Sequence, residues 1–286
     1  MTKITVVGSV NLDIVALAPR LPAPGETVTG ARLSRFPGGK GANQALAARR
    51  LGADVSLCAH FGADAAAEEA LALLRAEGVD LSACKLSADE PTGVALIAVG
   101  PDGENQIVVA PGANAAFAPD LVDLAPADAV ICQLEIPLAA VEKAARGARF
   151  FCLNAAPARP LPSALLHGAQ LIVVNETEAA FYGDALKASG GLVAITWGAK
   201  GAALYRGGVE IASARPPRVV AVDATGAGDA FVAALTIALV EGGAPAAALA
   251  FACAAGAIAA SRPGAQPSLP TRAEVDAILA GPRNLT

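Results

Sequence analysis

Histidine is almost missing from this chain: His60 and His167 are the only two among 286 residues. A zinc site built on imidazole, or a Ser-His-Asp triad, cannot be assembled convincingly from so few. Cysteine is sparse as well. The five at 58, 84, 132, 152 and 253 are odd in number, and no two stand at metal-ligand spacing. They read as buried, reduced, small hydrophobes of a cytosolic protein. Aromatic residues make up 4% and no run of Lys and Arg occurs. Both shortages argue against nucleic-acid binding, which draws on clustered positive charge and on base-stacking platforms. A Walker A loop is absent, and no G-x-G-x-x-G follows the first strand pattern. P-loop chemistry and nicotinamide-dependent oxidoreduction are disfavoured accordingly. Residues 242–261 carry no charge, which meets the length rule for a membrane span. The stretch is mostly Ala and Gly and contains Pro245, and alanine supplies little transfer energy. A buried helix is expected there, with no membrane partner. Met1 to Gly8 run straight into a strand pattern without a signal-peptide hydrophobic region, which implies a cytoplasmic location.

What is present is a globular composition, 54% hydrophobic and 16% charged with a net charge of −5, in a chain long enough to bury a large core. Short β-rich runs lie at 3–8, 54–59, 128–132, 149–153, 170–174, 192–196 and 218–222. Helical stretches lie at 41–51, 64–77, 138–147, 226–240, 245–260 and 271–280. Continuous apolar runs such as Ala129-Val130-Ile131-Cys132 and Leu171-Ile172-Val173-Val174 are typical of parallel strands buried on both faces. The alternation predicts one α/β domain over 1–286, a doubly wound, mostly parallel sheet flanked by helices. Two excursions, 12–36 and 91–110, read as β with no helix between. The second carries a hairpin signal at Pro101-Asp102-Gly103. These excursions are expected to form a small separate sheet that closes over a pocket or mediates a dimer contact.

The strongest local signal is Asp223-Ala224-Thr225-Gly226-Ala227-Gly228-Asp229, ahead of an apolar helix. Two glycines let the backbone turn tightly. The free N–H groups of the first helical turn, with the helix dipole, make an anion hole suited to a transferring phosphoryl group. Asp229 sits in that first turn, where a carboxylate can take the proton of an attacking hydroxyl. Read alone, the segment serves equally well as a helix cap and a turn. Its companions shift the balance. Gly38-Gly39-Lys40-Gly41-Ala42-Asn43-Gln44 leads into another helix as a close-approach loop with polar donors. Asn11 and Asp13, Glu135, Asn175-Glu176-Thr177-Glu178 and Thr196-Trp197-Gly198-Ala199-Lys200-Gly201 each follow a strand candidate. Ligands of open α/β sheets bind at those carboxyl ends.

Together these motifs resemble the PfkB, or ribokinase-like, family of sugar and nucleoside kinases. The likeness runs nearly end to end. It also covers Gly8-Ser9-Val10-Asn11-Leu12-Asp13, Pro24-Gly25-Glu26-Thr27-Val28, Thr92-Gly93-Val94-Ala95-Leu96-Ile97, Gly112-Ala113-Asn114-Ala115, Gln133-Leu134-Glu135, Asn154-Ala155-Ala156-Pro157-Ala158 and Gly264-Ala265-Gln266-Pro267-Ser268. The loop at 38–44 and the motif at 112–115 point to the ribokinase branch. The resemblance implies transfer of phosphate from ATP to a terminal sugar hydroxyl, that of ribose, to give ribose 5-phosphate. Kinases of the same family acting on nucleosides, fructose or deoxyribose stay open, as does a silent sugar-binding protein.

The resemblance also implies roles. Asn11, Asp13, Gly39, Lys40, Asn43 and Glu135 would hold the sugar, and Asp229 would activate it beside the anion hole of Gly226, Ala227 and Gly228. Asn175 and Glu178 would organise the triphosphate and Mg²⁺, the glutamate through water. Thr196, Gly198, Gly201, Gly228 and Cys253 would line the nucleotide. A K⁺ activator would sit among Asp223, Thr225, Ala259, Arg262, Gly264 and Ser268, several through backbone carbonyls. The two β excursions would be a lid that doubles as a homodimer contact. Three features depart from the family pattern. Cys253 stands where a polar residue is usual, the stretch from Asn175 to Thr196 is short, and Pro263 lies inside the presumed cation loop.

Overall fold

The apolar runs pair side by side in the computed structural model, which describes residues 1–281. In chain order the strands are β1 (Lys3–Val7), β2 (Asn11–Leu17), β3 (Arg32–Gly38), β4 (Asp54–Cys58), β5 (His60–Gly62), β6 (Lys85–Ser87), β7 (Gly93–Val99), β8 (Asn105–Ala110), β9 (Ala129–Cys132), β10 (Phe151–Asn154), β11 (Leu171–Asn175), β12 (Leu192–Thr196), β13 (Ala202–Arg206) and β14 (Val209–Ala214). The helices are α1 (Lys40–Arg50), α2 (Ala65–Ala76), α3 (Leu138–Gly147), α4 (Ser163–Gly168), α5 (Glu176–Tyr182), α6 (Ala227–Val240), α7 (Pro245–Ala260) and α8 (Arg272–Ala280).

The main sheet has eight strands in the order β14-β13-β12-β11-β10-β9-β1-β4. Six are parallel, and β13 and β14 continue the sheet antiparallel. Alternate residues feed two cores. Ile4, Val6, Ala129 and Ile131 join the core under α1, α6 and α7. Val7, Val130 and Cys132 join the one under α3, α4 and α5. Burial on both faces is why these strands read as unbroken apolar runs. The uncharged stretch is α7, a buried Ala-rich helix that opens on Pro245. It packs closely on α6: a Cβ at Gly256 would lie 3.1 Å from the Ala227 carbonyl. Among the described residues no helix is long and apolar enough to cross a membrane.

The two excursions meet in a second sheet, ordered β3-β2-β7-β8. Leu96 pairs with Val108, and Ala95 with Val109. Side-chain alternation therefore sends Asn11, Asp13, Ala95, Ile97, Ile107 and Val109 to one face. Leu33, Leu96 and Val108 point from the other, where they are 67%, 50% and 66% exposed.

One expectation fails. Residues 218–222 form no strand. Pro216-Pro217 precede them, no ladder partner adjoins them among the described residues, and Val220 is 83% exposed. Their end is tied instead to the close of α7 by Val222 N–H donating to the Ala260 carbonyl at 2.8 Å. Strands β13 and β14 were not anticipated. Their signal is the two-residue turn Gly207-Gly208, with φ of 56° and 79°, which suits a tight hairpin. The short segment after Asn175 is crossed by the seven-residue α5 and a single 3-10 turn, Gly183–Leu186.

Candidate active site

A cleft of about 510 Å³ opens where β1, β9, β10, β11 and β12 end and α1, α5 and α6 begin, under the inner face of the four-stranded sheet. Asn11, Asp13, Gly39, Lys40, Asn43, Glu135, Asn175, Glu178, Thr196, Thr225, Gly226, Gly228 and Asp229 all line it. Strand ends about 200 residues apart in the sequence thus converge, as expected for ligand sites of open α/β sheets.

Three carboxylates and one ammonium crowd one side. Asp13 is pushed up to about 7, chiefly by burial, then by the charges of Glu135 and Asp229, with Lys40 opposing. Its side chain fills the space beside Gly38, where a Cβ would come within 2.3 Å of Oδ2. Burial, the largest single influence on Lys40, lowers its ammonium, yet the combined fields of Asp229, Glu135, Glu178 and Asp13 leave it raised. Glu135 is held firmly: Oε2 accepts from Ser9 Oγ at 2.5 Å and from the Lys40 backbone N–H at 3.0 Å. Asn11 Oδ1 accepts from Asn114 Nδ2 at 2.8 Å.

Asp229 is buried in the first turn of α6. Oδ2 accepts from Asn43 Nδ2 and Oδ1 from Gln44 Nε2, each at 2.8 Å. Burial raises its carboxyl, with Glu135 adding, against the pull of Lys40, Asn43 and Gln44. Gly226 caps the helix at φ 79°, a left-handed conformation that favours glycine. Ala227 N–H donates to the Ala224 carbonyl at 3.2 Å, so it is partly engaged in a turn. Among the described residues, nothing accepts the N–H of Gly226 or Gly228. A Cβ at Gly228 would meet nothing within 4 Å. Internal packing therefore does not demand that glycine, whereas a ligand approaching the helix start would.

On the nucleotide side, Asn175 and Glu178 form a capping box: Glu178 N–H donates to Asn175 Oδ1, and Asn175 N–H to Glu178 Oε2, both at 2.9 Å. Burial raises the Glu178 carboxyl, against its Asn175 bond and Lys40. Glu178 Oε1 has no hydrogen-bond partner among the described residues and belongs to a side chain lining the cleft, which suits a water-mediated Mg²⁺ contact. Gly198 and Gly201 lie outside this cleft. A Cβ at Gly201 would sit 2.2 Å from the Ala214 carbonyl. Their loop borders a second hollow of about 270 Å³, lined by Trp197, Lys200, Ala214 and Arg215 among others. Cys253 is buried on α7 and its Sγ donates to the Ala214 carbonyl at 3.8 Å, which puts it behind that hollow. Burial pushes its thiol up to about 11.

The presumed cation residues fall on two adjoining loops. Asp223 Oδ1 accepts from Thr225 N–H at 2.9 Å and Oδ2 from Gly264 N–H at 2.8 Å. Burial works against its charge, but these bonds with Thr225 and Gly264 hold the carboxyl below the usual range. Ser268 Oγ donates to the Ala265 carbonyl at 2.7 Å, and the Ala259 carbonyl accepts from Arg262 N–H at 3.2 Å. The Arg262 guanidinium, a cation with no acceptor atom, pairs with Glu274 at 2.5 Å; only the backbone carbonyl of Arg262 could ligate an ion. One ionised carboxylate among carbonyls and a hydroxyl is an all-oxygen set that fits a hard cation. No cluster of three His, Cys, Asp or Glu able to hold a metal occurs among the described residues.

Four polar residues with structural parts in this site were not assigned any from sequence: Ser9, Gln44, Gln133 and Asn154. All lie inside recognised motifs, but only the fold reveals their partners. Gln44 Nε2 also donates to Asn154 Oδ1 at 3.0 Å, and Gln133 Nε2 donates to Gln44 Oε1 at 2.6 Å.

The model of the "pfkB family carbohydrate kinase" matches residues 1–272. A ribokinase of Haemophilus influenzae is 39% identical, with 95% of this chain and 96% of that protein covered. A ribokinase of Bacillus subtilis is 37% identical, with 98% and 100% covered. Among solved structures, the ribokinase of Thermotoga maritima superposes with a TM-score of 0.88 at 32% identity, covering 98% of this chain and all of that one. An Arabidopsis thaliana ribokinase complexed with ribose and ATP gives 0.86 at 30% identity, covering 98% and 99%. With both the sequence and the geometry of the strand-end cleft in agreement, the chain belongs to the PfkB family of carbohydrate kinases.

Proposed function

We propose that this chain transfers the γ-phosphoryl group of ATP to the terminal hydroxyl of ribose, giving ribose 5-phosphate and ADP. The observation that carries this reading is Asp229: a buried carboxylate at a helix start, beside N–H groups that no protein atom accepts among the described residues, in a cleft walled by Asn11, Asp13, Lys40 and Glu135. The ribokinases that match it over nearly their whole length support ribose over other sugars. Matching nucleoside kinases are only 22% and 23% identical and speak to the fold alone.

Asn11, Asp13, Lys40 and Glu135 bind the sugar hydroxyls, and Gly39, whose positive φ and close approach to the Ser9–Asn11 backbone exclude a side chain, brings its backbone to the ring. Asn43 lines the sugar site and gives its donor to Asp229. Asp229 takes the proton of the terminal hydroxyl as its oxygen bonds to phosphorus and the bond to the ADP oxygen breaks. The N–H groups of Gly226 and Gly228, with Ala227 between them, stabilise the charge on the transferring group. Asn175 and Glu178 would hold Mg²⁺, the glutamate through water, and that ion supplies charge neutralisation on the phosphates. Asp223, Thr225, Ala259, Arg262, Gly264 and Ser268 would hold K⁺, which stiffens the two loops beside the helix start. Thr196, Gly198 and Gly201 face the nucleotide, with Cys253 buried behind the hollow beside them. The same reading takes 1–286 as one domain. In it, the sheet of β2, β3, β7 and β8 is a lid whose exposed outer face, with Leu33, Leu96 and Val108, meets a second copy in a homodimer. Five free cysteines accord with a cytoplasmic enzyme.

ADP release measured over ribose, deoxyribose, fructose, adenosine and cytidine tests the substrate. Asp229→Asn is expected to bind ATP normally and lose at least about 10²-fold in kcat. Near-wild-type turnover in that variant, or a preference for adenosine over ribose, overturns the proposal.

A further inference from the structure

Asp229 does not stand alone; its orientation is traceable through two side chains to a backbone atom. The Val173 carbonyl on β11 can only accept, and Asn154 Nδ2 donates to it at 3.2 Å. Asn154 Oδ1 therefore faces the other way, toward Gln44. It too can only accept, so Gln44 must present its NH₂ group, and does so at 3.0 Å. The second hydrogen of that NH₂ goes to Asp229 Oδ1 at 2.8 Å. Gln44 Oε1 is left to accept from Gln133 Nε2 at 2.6 Å. Every hydrogen of the Gln44 amide is thus used. Flipping it would oppose its oxygen to both Asn154 Oδ1 and the carboxylate. Gln44 and Gln133 are fully buried, so no water stands ready to replace the lost bonds. The relay also explains Gly8: a Cβ there would come within 2.0 Å of Gln133 Oε1.

We propose that Gln44 is the positioning residue for the Asp229 carboxylate, its amide held in the donating direction by Asn154. This rests on Asp229 being the base. With Oδ1 tied to Gln44 and Oδ2 to Asn43, the carboxylate cannot rotate, and its free lone pairs keep one direction. Both donors favour the ionised form that accepts a proton. The charged groups that also face Asp229 are Lys40 on α1, Glu135 after β9 and Asp13 on β2.

The test is the single-turnover rate of phosphoryl transfer against pH, at saturating ATP and ribose, for Gln44→Met and Asn154→Leu. Gln44→Met is expected to move the acid limb upward by about one pH unit, lower the rate at pH 7 about tenfold, and leave the KM for ATP within about twofold. Asn154→Leu, which removes the acceptor that fixes Gln44 and makes no hydrogen bond to Asp229, shifts the limb the same way by less. A soluble Gln44→Met enzyme with an unmoved acid limb overturns the proposal. Should that variant not fold, an unmoved limb in Asn154→Leu does so. A near-wild-type rate in Asp229→Asn, by contrast, strikes at the base itself and leaves a different diagnosis.

Discussion

Replacing Asp13 by Asn should make the protein more stable and a poorer enzyme, and the stability gain should depend on pH. The Asp13 carboxyl titrates at about 7 against an ordinary 3.8, first because of burial and then because Glu135 and Asp229 lie near. In the unfolded chain that environment is gone. Between the two values the native state therefore binds one more proton than the unfolded state, and stability falls as pH rises. The difference of about 3 units, at about 1.4 kcal/mol each, amounts to about 4 kcal/mol of destabilisation above pH 7. Asn carries no such charge. The advantage of Asp13→Asn should be about 1.5 kcal/mol at pH 5, grow through pH 6 and 7, and level near 4 kcal/mol by pH 8. Urea unfolding of both proteins at each pH measures it. In parallel, at pH 8, where the parent's Asp13 is ionised, the KM for ribose should rise by about tenfold or more, since a charged acceptor for sugar hydroxyls is lost. A stability difference that stays constant from pH 5 to 8, or a variant less stable than the parent at pH 8, would refute the reasoning.

Gly228→Ala adds a methyl group into space that no protein atom fills, so thermal stability should hold or improve while turnover falls about 10²-fold by crowding the phosphoryl position. Normal turnover would show that the helix start is no anion site. Activity in K⁺ buffer should exceed that in Na⁺ buffer if the loops joined by Asp223 and Gly264 carry a cation. Equal rates count against that.

Much of the site was legible because its residues sit in short segments whose chemistry is local. The two glycines before Asp229, the glycine-rich loop with Lys40, and the polar residues after each strand all announce close backbone approach or ligand contact. Strand 218–222 misled, because a β-branched run says nothing about whether a partner edge is within reach. The hairpin of β13 and β14 was missed although Gly207-Gly208 signals it, because its strands lack the long apolar runs of the parallel ones. Asn43 was read as a sugar ligand, and only the fold shows its donor spent on Asp229. Gln44, Gln133 and Asn154 stood inside the motifs without a role, since an amide's function depends on which of its two ends meets which partner.

The sequence by itself determined the layered α/β architecture, through hydrophobic periodicity, and the inventory of reactive groups, through the spacing of glycines and carboxylates at strand ends. Both are properties of residues near one another in the chain. Tertiary structure alone decided the electrostatics and the orientation of the base. Asp13 is raised because it is buried beside carboxylates more than 100 residues away, and Asp229 is aimed because a carbonyl on β11 dictates, amide by amide, which way Gln44 points. Burial and hydrogen-bond direction are set by what folding brings together, and no local pattern of residues encodes them.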